Sequence, residues 1–291
     1  MSYVKPMLAH KYAPNKVTFP CFVQPKLNGV RGLYIPGNPN NPPDMQTRFQ
    51  SRYGEIWNAP VVAHSLMALT GQNFHLDGEF YRHGMSLQNI NSRIGVVRNQ
   101  PHEESTLIDF NIFDVMIDSP FWKRSLMLHR LAEMLRDVPG VQVVKTCEVT
   151  SESEADYLYN QWKNLDGYEG MMYRAANAVY GFSHRCGNKD NRWNYLLKRK
   201  EMLDDDAYII SFNEMICGTT GLLKGTLGSF NLMSRWGTTF SAGSGLTHQQ
   251  REEYWRIGEE RMKGTSVHFR YEMLSDAKVP LKPIIELVNW V

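Results

Sequence analysis

The stretch Gln24-Pro25-Lys26-Leu27-Asn28-Gly29-Val30-Arg31 decides how this chain is read. It sets a lysine in a tight turn between two β-like runs, residues 21–24 and 30–35, with an arginine five positions beyond the lysine. Four further pieces follow at a distance: Leu76-Asp77-Gly78-Glu79-Phe80, Phe113-Asp114-Val115-Met116, Glu169-Gly170-Met171-Met172-Tyr173-Arg174, and Leu196-Leu197-Lys198-Arg199-Lys200. Singly, each has a plain structural explanation. The lysine would be a surface hairpin, a carboxylate beside glycine a turn, and Phe113 a core aromatic. Lys198 and Lys200 alternate with Arg199, so they share one strand face, and by themselves they describe a solvated edge. Their order and spacing carry more than any one of them.

Around these pieces the pattern is mixed. Strands are expected at 45–52, 74–81, 106–117, 141–145, 169–174 and 195–200, and helices at 59–69 and 123–138. A further helix should start at Ser151, where Ser151-x-x-Glu154 fits a capping box. Residues 36–43 form the one long run of turn formers. Without regular βαβ alternation, residues 1–203 read as an α+β domain built on antiparallel sheets. After Asp204–Asp206 short β-rich runs (207–212, 228–233, 238–241, 266–273, 284–288) surround one polar helix, 247–263. Residues 204–291 therefore read as a small β-barrel, with an OB-fold the natural candidate.

Composition narrows the class. The 291 residues are 42% hydrophobic and 21% charged, enough for sizeable cores. Formal net charge is only +2, so any grip on a polyanion must come from basic residues gathered on one face. Cys21, Cys147, Cys186 and Cys217 are far apart and lack paired metal spacing, which suits reduced thiols. The first residues lack a secretion signal, no stretch approaches a membrane span, and a cytoplasmic location is the expectation.

Together the five pieces resemble the covalent nucleotidyltransferases, the superfamily of ATP-dependent DNA ligases, RNA ligases and mRNA capping enzymes. The resemblance implies a nucleotidyltransferase domain with ATP-grasp-like antiparallel sheets, followed by the OB-fold barrel. It identifies Lys26 as the lysine that takes AMP, within motif I. Ser51-Arg52-Tyr53-Gly54 resembles the motif that follows, Asp77-Gly78-Glu79 motif III, Phe113-Asp114 motif IIIa, residues 169–174 motif IV and residues 198–200 motif V. Gln24, Arg31, Arg52, Glu79, Phe113, Glu169, Arg174, Lys198 and Lys200 are then the expected nucleotide-binding residues. Phe113 would stack on adenine, and Arg31 and Arg52 would hold ribose and phosphate, with Arg174 as a further donor. Glu79 and Glu169 are hard oxygen ligands suited to Mg²⁺.

The chemistry agrees with that assignment. An ordinary lysine has a pKa near 10.4, so about one molecule in a thousand is a neutral nucleophile at neutral pH. Closing the gap takes about 4 kcal/mol, which one or two cations about 4 Å away supply. Arg31, Lys198, Lys200 and Mg²⁺ are the cations expected near the nucleophile, with Lys198 and Lys200 assisting catalysis.

The second domain favours a small, phage-type DNA ligase. Residues 223–230 and 240–247, and the opening Pro6-Met7-Leu8-Ala9, resemble segments of those enzymes. The implied reaction seals 3′-OH/5′-phosphate nicks through a lysyl-AMP and a DNA-adenylate, with ATP as AMP donor and nicked duplex DNA as partner of a monomer. Lys224, Arg235 and Lys282 are the expected DNA contacts. Two departures stand out. Asn28 occupies the usual aspartate position of motif I, and the tail offers only Lys282 where motif VI carries several basic residues. The alternatives are an RNA ligase of the same superfamily, which also varies at Asn28, and a nick-binding module without catalysis.

Overall fold

The two runs flanking the Lys26 turn enter different sheets, which removes the hairpin reading of this segment. The computed structural model describes residues 5–37, 48–57, 75–95, 102–181 and 195–290. The expected helix at 59–69, most of the 36–43 loop and Cys186 lie outside them. Two compact units divide between Lys200 and Glu201.

In the first unit, a five-stranded sheet joins β1 (His10–Lys11), β2 (Cys21–Lys26), β9 (Cys147–Val149), β10 (Gly170–Ala175) and β11 (Leu196–Lys200) in the order β1-β11-β10-β2-β9. A six-stranded sheet joins β3 (Val30–Ile35), β4 (Arg48–Ser51), β5 (Ile56–Trp57), β6 (His75–Tyr81), β7 (Asp109–Met116) and β8 (Val141–Val143) in the order β5-β4-β3-β6-β7-β8. Residues 27–29 carry the chain from one sheet to the other. Gly29 is needed there, because a Cβ would lie 2.2 Å from the Phe80 carbonyl oxygen. Pairing is antiparallel as expected except at two edges, where β1 runs parallel to β11 and β8 parallel to β7.

Alternation along the strands assigns the faces. Cys21, Val23, Met171, Tyr173 and Leu197 bury one face of the first sheet with Trp162 and Ala155. Tyr34, Leu76, Phe80, Phe110, Ile112 and Val115 bury one face of the second against α1 (Leu87–Ile94) and α2 (Phe121–Met134). The facing sides carry a small apolar cluster of Met7, Leu33, Met116, Tyr180 and Leu196. The site residues share those facing sides.

Several boundaries differ from expectation for identifiable reasons. Residues 103–107 form a 3-10 turn before β7 begins. Helix α1, capped by Ser86 accepting from Asn89 N, has too short an apolar stripe (Ile90, Ile94) to stand out in sequence. At α3 (Glu152–Asn160) Ser151 accepts from Glu154 N, but the Glu154 carboxylate takes Thr150 N (2.7 Å) instead of closing the expected box.

The second unit is a five-stranded sheet in the order β14-β13-β12-β15-β18, from β12 (Leu203–Ile216), β13 (Leu223–Ser234), β14 (Thr239–Ala242), β15 (Ser266–Tyr271) and β18 (Ile284–Val288). Its edges meet at a single bridge, Ser244–Ile284, giving the partly open barrel of an OB-like fold. Asp204–Asp206 lie inside β12, paired with His268 to Arg270, so the strand starts ahead of the expected 207. The expected helix at 247–263 is two, α4 (His248–Ile257) and α5 (Glu259–Met262), broken at Gly258 where φ is 91°. A two-residue β16–β17 pair (Met273–Leu274 with Pro280–Leu281) completes the unit.

Candidate active site

Register gathers the lysines. Lys26 on β2 stands opposite Gly170 on β10, which stands opposite Lys200 on β11; one row back, Gln24, Met172 and Lys198 align in the same way. Directly opposed residues project to one face, so Lys26, Lys198 and Lys200 share it. Gly170 keeps the row open, since a Cβ there would lie 2.1 Å from the Arg199 carbonyl oxygen.

Glu169, immediately before that glycine, is divided between two lysines. Its Oε2 pairs with Lys26 Nζ, and its Oε1 lies 3.4 Å from Lys200 Nζ. The sequence led us to expect cations around the nucleophile; its closest ionic partner is instead this carboxylate. From the second sheet, Glu79 stands opposite Arg31. Burial pushes the Glu79 carboxyl up to about 7, against the pull of Lys26 and Arg31, while Glu169 and Asp77 add to the rise. Glu79 and Glu169 thus sense each other across the site. Among the described residues no three acidic, histidine or cysteine side chains converge. The donor set fits a hard cation only where phosphate oxygens and water complete its shell, as Mg²⁺ commonly requires.

Phe113 owes its placement to an irregularity. Asp77 pairs with Asp114 and Gly78 with Ile112, so Phe113 is the extra residue of a β-bulge on β7. Its ring lies 5.5 Å from the Arg31 guanidinium and 5.4 Å from that of Arg174. Each arginine is anchored by a buried carboxylate. Arg31 makes a two-pronged pair with Asp77 (2.9 and 2.5 Å), and Arg174 donates to Asp114 (2.5 Å).

Two expected nucleotide contacts are buried among protein partners. Gln24 is fully buried, donating to the Phe113 carbonyl (2.9 Å) and to Thr146 (2.8 Å) while accepting from Arg174 Nε (2.6 Å). Arg174 is only 3% exposed and committed to Asp114 and Gln24. They brace Phe113 from within the protein. Arg52 is exposed in the turn after β4, its guanidinium 5.6 Å over the Tyr53 ring.

Arg124 and Tyr180 were missed in sequence. Arg124, 1% exposed, clamps Asp114 from α2 at 2.7 and 3.2 Å and also donates to the Ser119 and Ala178 carbonyls. A signal existed, since Arg124 falls on the buried stripe Phe121, Leu128, Leu131 of its helix. Tyr180 carried none.

In the second unit, Lys224 is exposed near the start of β13, and Arg235 follows that strand's other end, so the two are separated by roughly 35 Å of extended chain. Arg235 pairs with Asp205 (2.9 Å), and Lys282 pairs with Glu272 (2.7 Å). The three expected DNA contacts therefore do not form one patch of unengaged cations.

Residues 220–288 match the family model of the DNA ligase OB-like domain. Over the whole chain, a Lig E DNA ligase superposes with a TM-score of 0.76 at 22% identity, covering 98% of each chain. The chain has the fold of a DNA ligase. The ATP-dependent DNA ligase of bacteriophage T7 in complex with ATP matches at TM-score 0.55 and 15% identity over 98% of each chain. The Chlorella virus DNA ligase-adenylate matches at 0.51 and 23%, covering 100% of this chain and 99% of the other. A sequence search of the curated proteins finds no match. No helix among the described residues is long and apolar enough to cross a membrane. On this DNA ligase fold, the Lys26–Glu169–Lys200 row and the Phe113 bulge lie on the first unit, ahead of the matched OB-like segment.

Proposed function

We propose that this chain is an ATP-dependent DNA ligase that carries AMP on Lys26 and joins 3′-hydroxyl to 5′-phosphate ends at nicks. The observation that carries the reading is the row Lys26, Glu169 and Lys200, with Glu79 and Phe113 supplied from the second sheet of a DNA ligase fold.

In the first step Lys26 Nζ, freed of Glu169 and of one proton, attacks the α-phosphorus of ATP. An N–P bond forms, the bond to the β-phosphate oxygen breaks, and pyrophosphate leaves. Lys198 and Lys200 offset phosphate charge during this transfer. Phe113 offers an aromatic platform for the base, and the fixed Arg31 fork offers donors to ribose or phosphate. Next, an oxygen of the nick's 5′-phosphate attacks the AMP phosphorus, the N–P bond breaks and Lys26 regains a proton. The 3′-hydroxyl then attacks the activated 5′-phosphate, forming the phosphodiester and releasing AMP. Glu79 and Glu169 would hold Mg²⁺, which neutralises phosphate charge when bound. The matched OB-like segment supports duplex DNA as partner, gripped by a monomer.

Incubation with ATP labelled at the α-phosphate and Mg²⁺ tests the reading. Label should appear on the protein, map to Lys26, and pass to a nicked duplex. A folded Lys26→Ala variant that still took label, or label on another residue, would refute it.

A further inference from the structure

Arg31 can offer donors to a nucleotide only if its guanidinium is held in one plane, and the structure shows what holds it. Asp77, 1% exposed, accepts Arg31 Nε on Oδ1 (2.9 Å) and Nη2 on Oδ2 (2.5 Å). Oδ2 accepts a third donor, the Tyr180 hydroxyl, at 2.6 Å. That hydroxyl in turn accepts the backbone N–H of Met7 at 3.1 Å. We propose that Tyr180 is a positioning residue for Arg31, acting through Asp77 to set the guanidinium for nucleotide binding.

Three observations support this. The Tyr180 ring is 3% exposed and packed among Met7, Leu33, Met116 and Leu196, so its hydroxyl is delivered to Asp77 by a fixed core. Burial, with Asp77 beside it, holds the phenol well above its ordinary range, so the group stays a donor through neutral pH. The ring also lies 5.6 Å from the Arg124 guanidinium, whose clamp on Asp114 fixes Arg174. Tyr180 therefore stands between the two arginine–aspartate pairs whose guanidiniums flank Phe113. Without the hydroxyl, Asp77 loses a donor where water cannot replace it, and Met7 N–H loses its acceptor. The Asp77 carboxylate is then free to turn, and Arg31 turns with it.

The inference rests on the ligase reading, and the test separates the two. Tyr180→Phe keeps the ring and removes only the hydroxyl. In the full chain, the ATP dependence of Lys26 labelling should show KM raised about tenfold and kcat changed less than about twofold, the pattern of lost nucleotide binding. KM does not depend on how much protein is folded, so partial unfolding cannot imitate this split. Asp77→Asn should give the same signature, which covers the case of a Tyr180→Phe protein that does not fold. In an Arg31→Lys background, which already lacks the two-pronged pair, Tyr180→Phe should add less than about twofold. An unchanged KM in Tyr180→Phe, or the full effect persisting in the Arg31→Lys background, overturns the role of Tyr180 and leaves the ligase reading standing. A wild-type chain that takes no AMP from ATP overturns both.

Discussion

At the scale of single residues, small displacements decide function here. Gly29→Ala would force a Cβ to within 2.2 Å of the Phe80 carbonyl, where backbone cannot give way cheaply. We expect a loss of about 2–3 kcal/mol and reduced labelling of Lys26, readable by thermal melts and AMP uptake on one sample; wild-type values for both would refute the crossover's tightness. Glu79 supplies a pH test. Its folded carboxyl is raised to about 7, above the ordinary 4.5 of an unfolded chain, so folding takes up a proton between those values. The cost of its charge is absent below about 4.5 and complete above about 7. Glu79→Gln should therefore raise Tm more at pH 8 than at pH 5; equal shifts at both would show that burial does not govern this group. The residue scale also marks how far sequence could reach. That Lys26, Glu169 and Lys200 belong to one cluster was legible because each stands in a local motif, and the structure brings the three together. The burial of Gln24 and Arg174 was not legible, because strand periodicity gives a face, whereas their burial depends on Asp114 and Thr146, distant in sequence. The carboxylate on Lys26 was missed for the same reason: register, not spacing, brings Glu169 across.

Among the elements, caps and irregularities do the local work. Thr247 closes a full capping box with Gln250 at the start of α4, whereas at α3 Ser151 accepts the Glu154 N–H and the Glu154 carboxylate turns to Thr150. Thr247→Ala should cost about 1 kcal/mol and Ser151→Ala less, by denaturant melts; the reverse order would mean that the Ser151 hydroxyl carries the cap of α3 without need of a reciprocal bond. The helix start at 151 was readable because capping is written in four consecutive residues, and the one at 247 from the polar run that follows it. The break at Gly258 was not, since Glu259–Met262 continues the polar pattern of α4 after one residue with φ of 91°. Nor was the Phe113 bulge readable, because a bulge is a relation between two strands and leaves no periodic trace in either.

For the whole molecule, each unit has its own core. Ile209, Phe230, Phe269 and their neighbours form one cluster in the second unit, with none of its members drawn from the first. Residues 201–291 made alone should thus fold cooperatively, and residues 1–200 alone should label on Lys26 yet fail to seal; efficient sealing by 1–200 would remove any need for the OB-like unit. Sealing by the full chain should weaken as salt rises, with log K falling by roughly 0.9 per phosphate neutralised, while labelling by ATP changes far less. Parallel slopes would place the salt-sensitive contacts on the nucleotide.

The division at Lys200 has a mechanical side. Only Glu201 and Met202 separate the end of β11 from the start of β12, a leash of about 10 Å at full extension from Lys200 to Leu203. So short a tether keeps each unit in the other's vicinity at an effective concentration in the millimolar range or above, whatever the protein's own dilution. On the proposed function, a DNA end captured by either unit would thereby be offered repeatedly to the other before it could diffuse away. The anchor point of that leash is itself a candidate catalytic lysine.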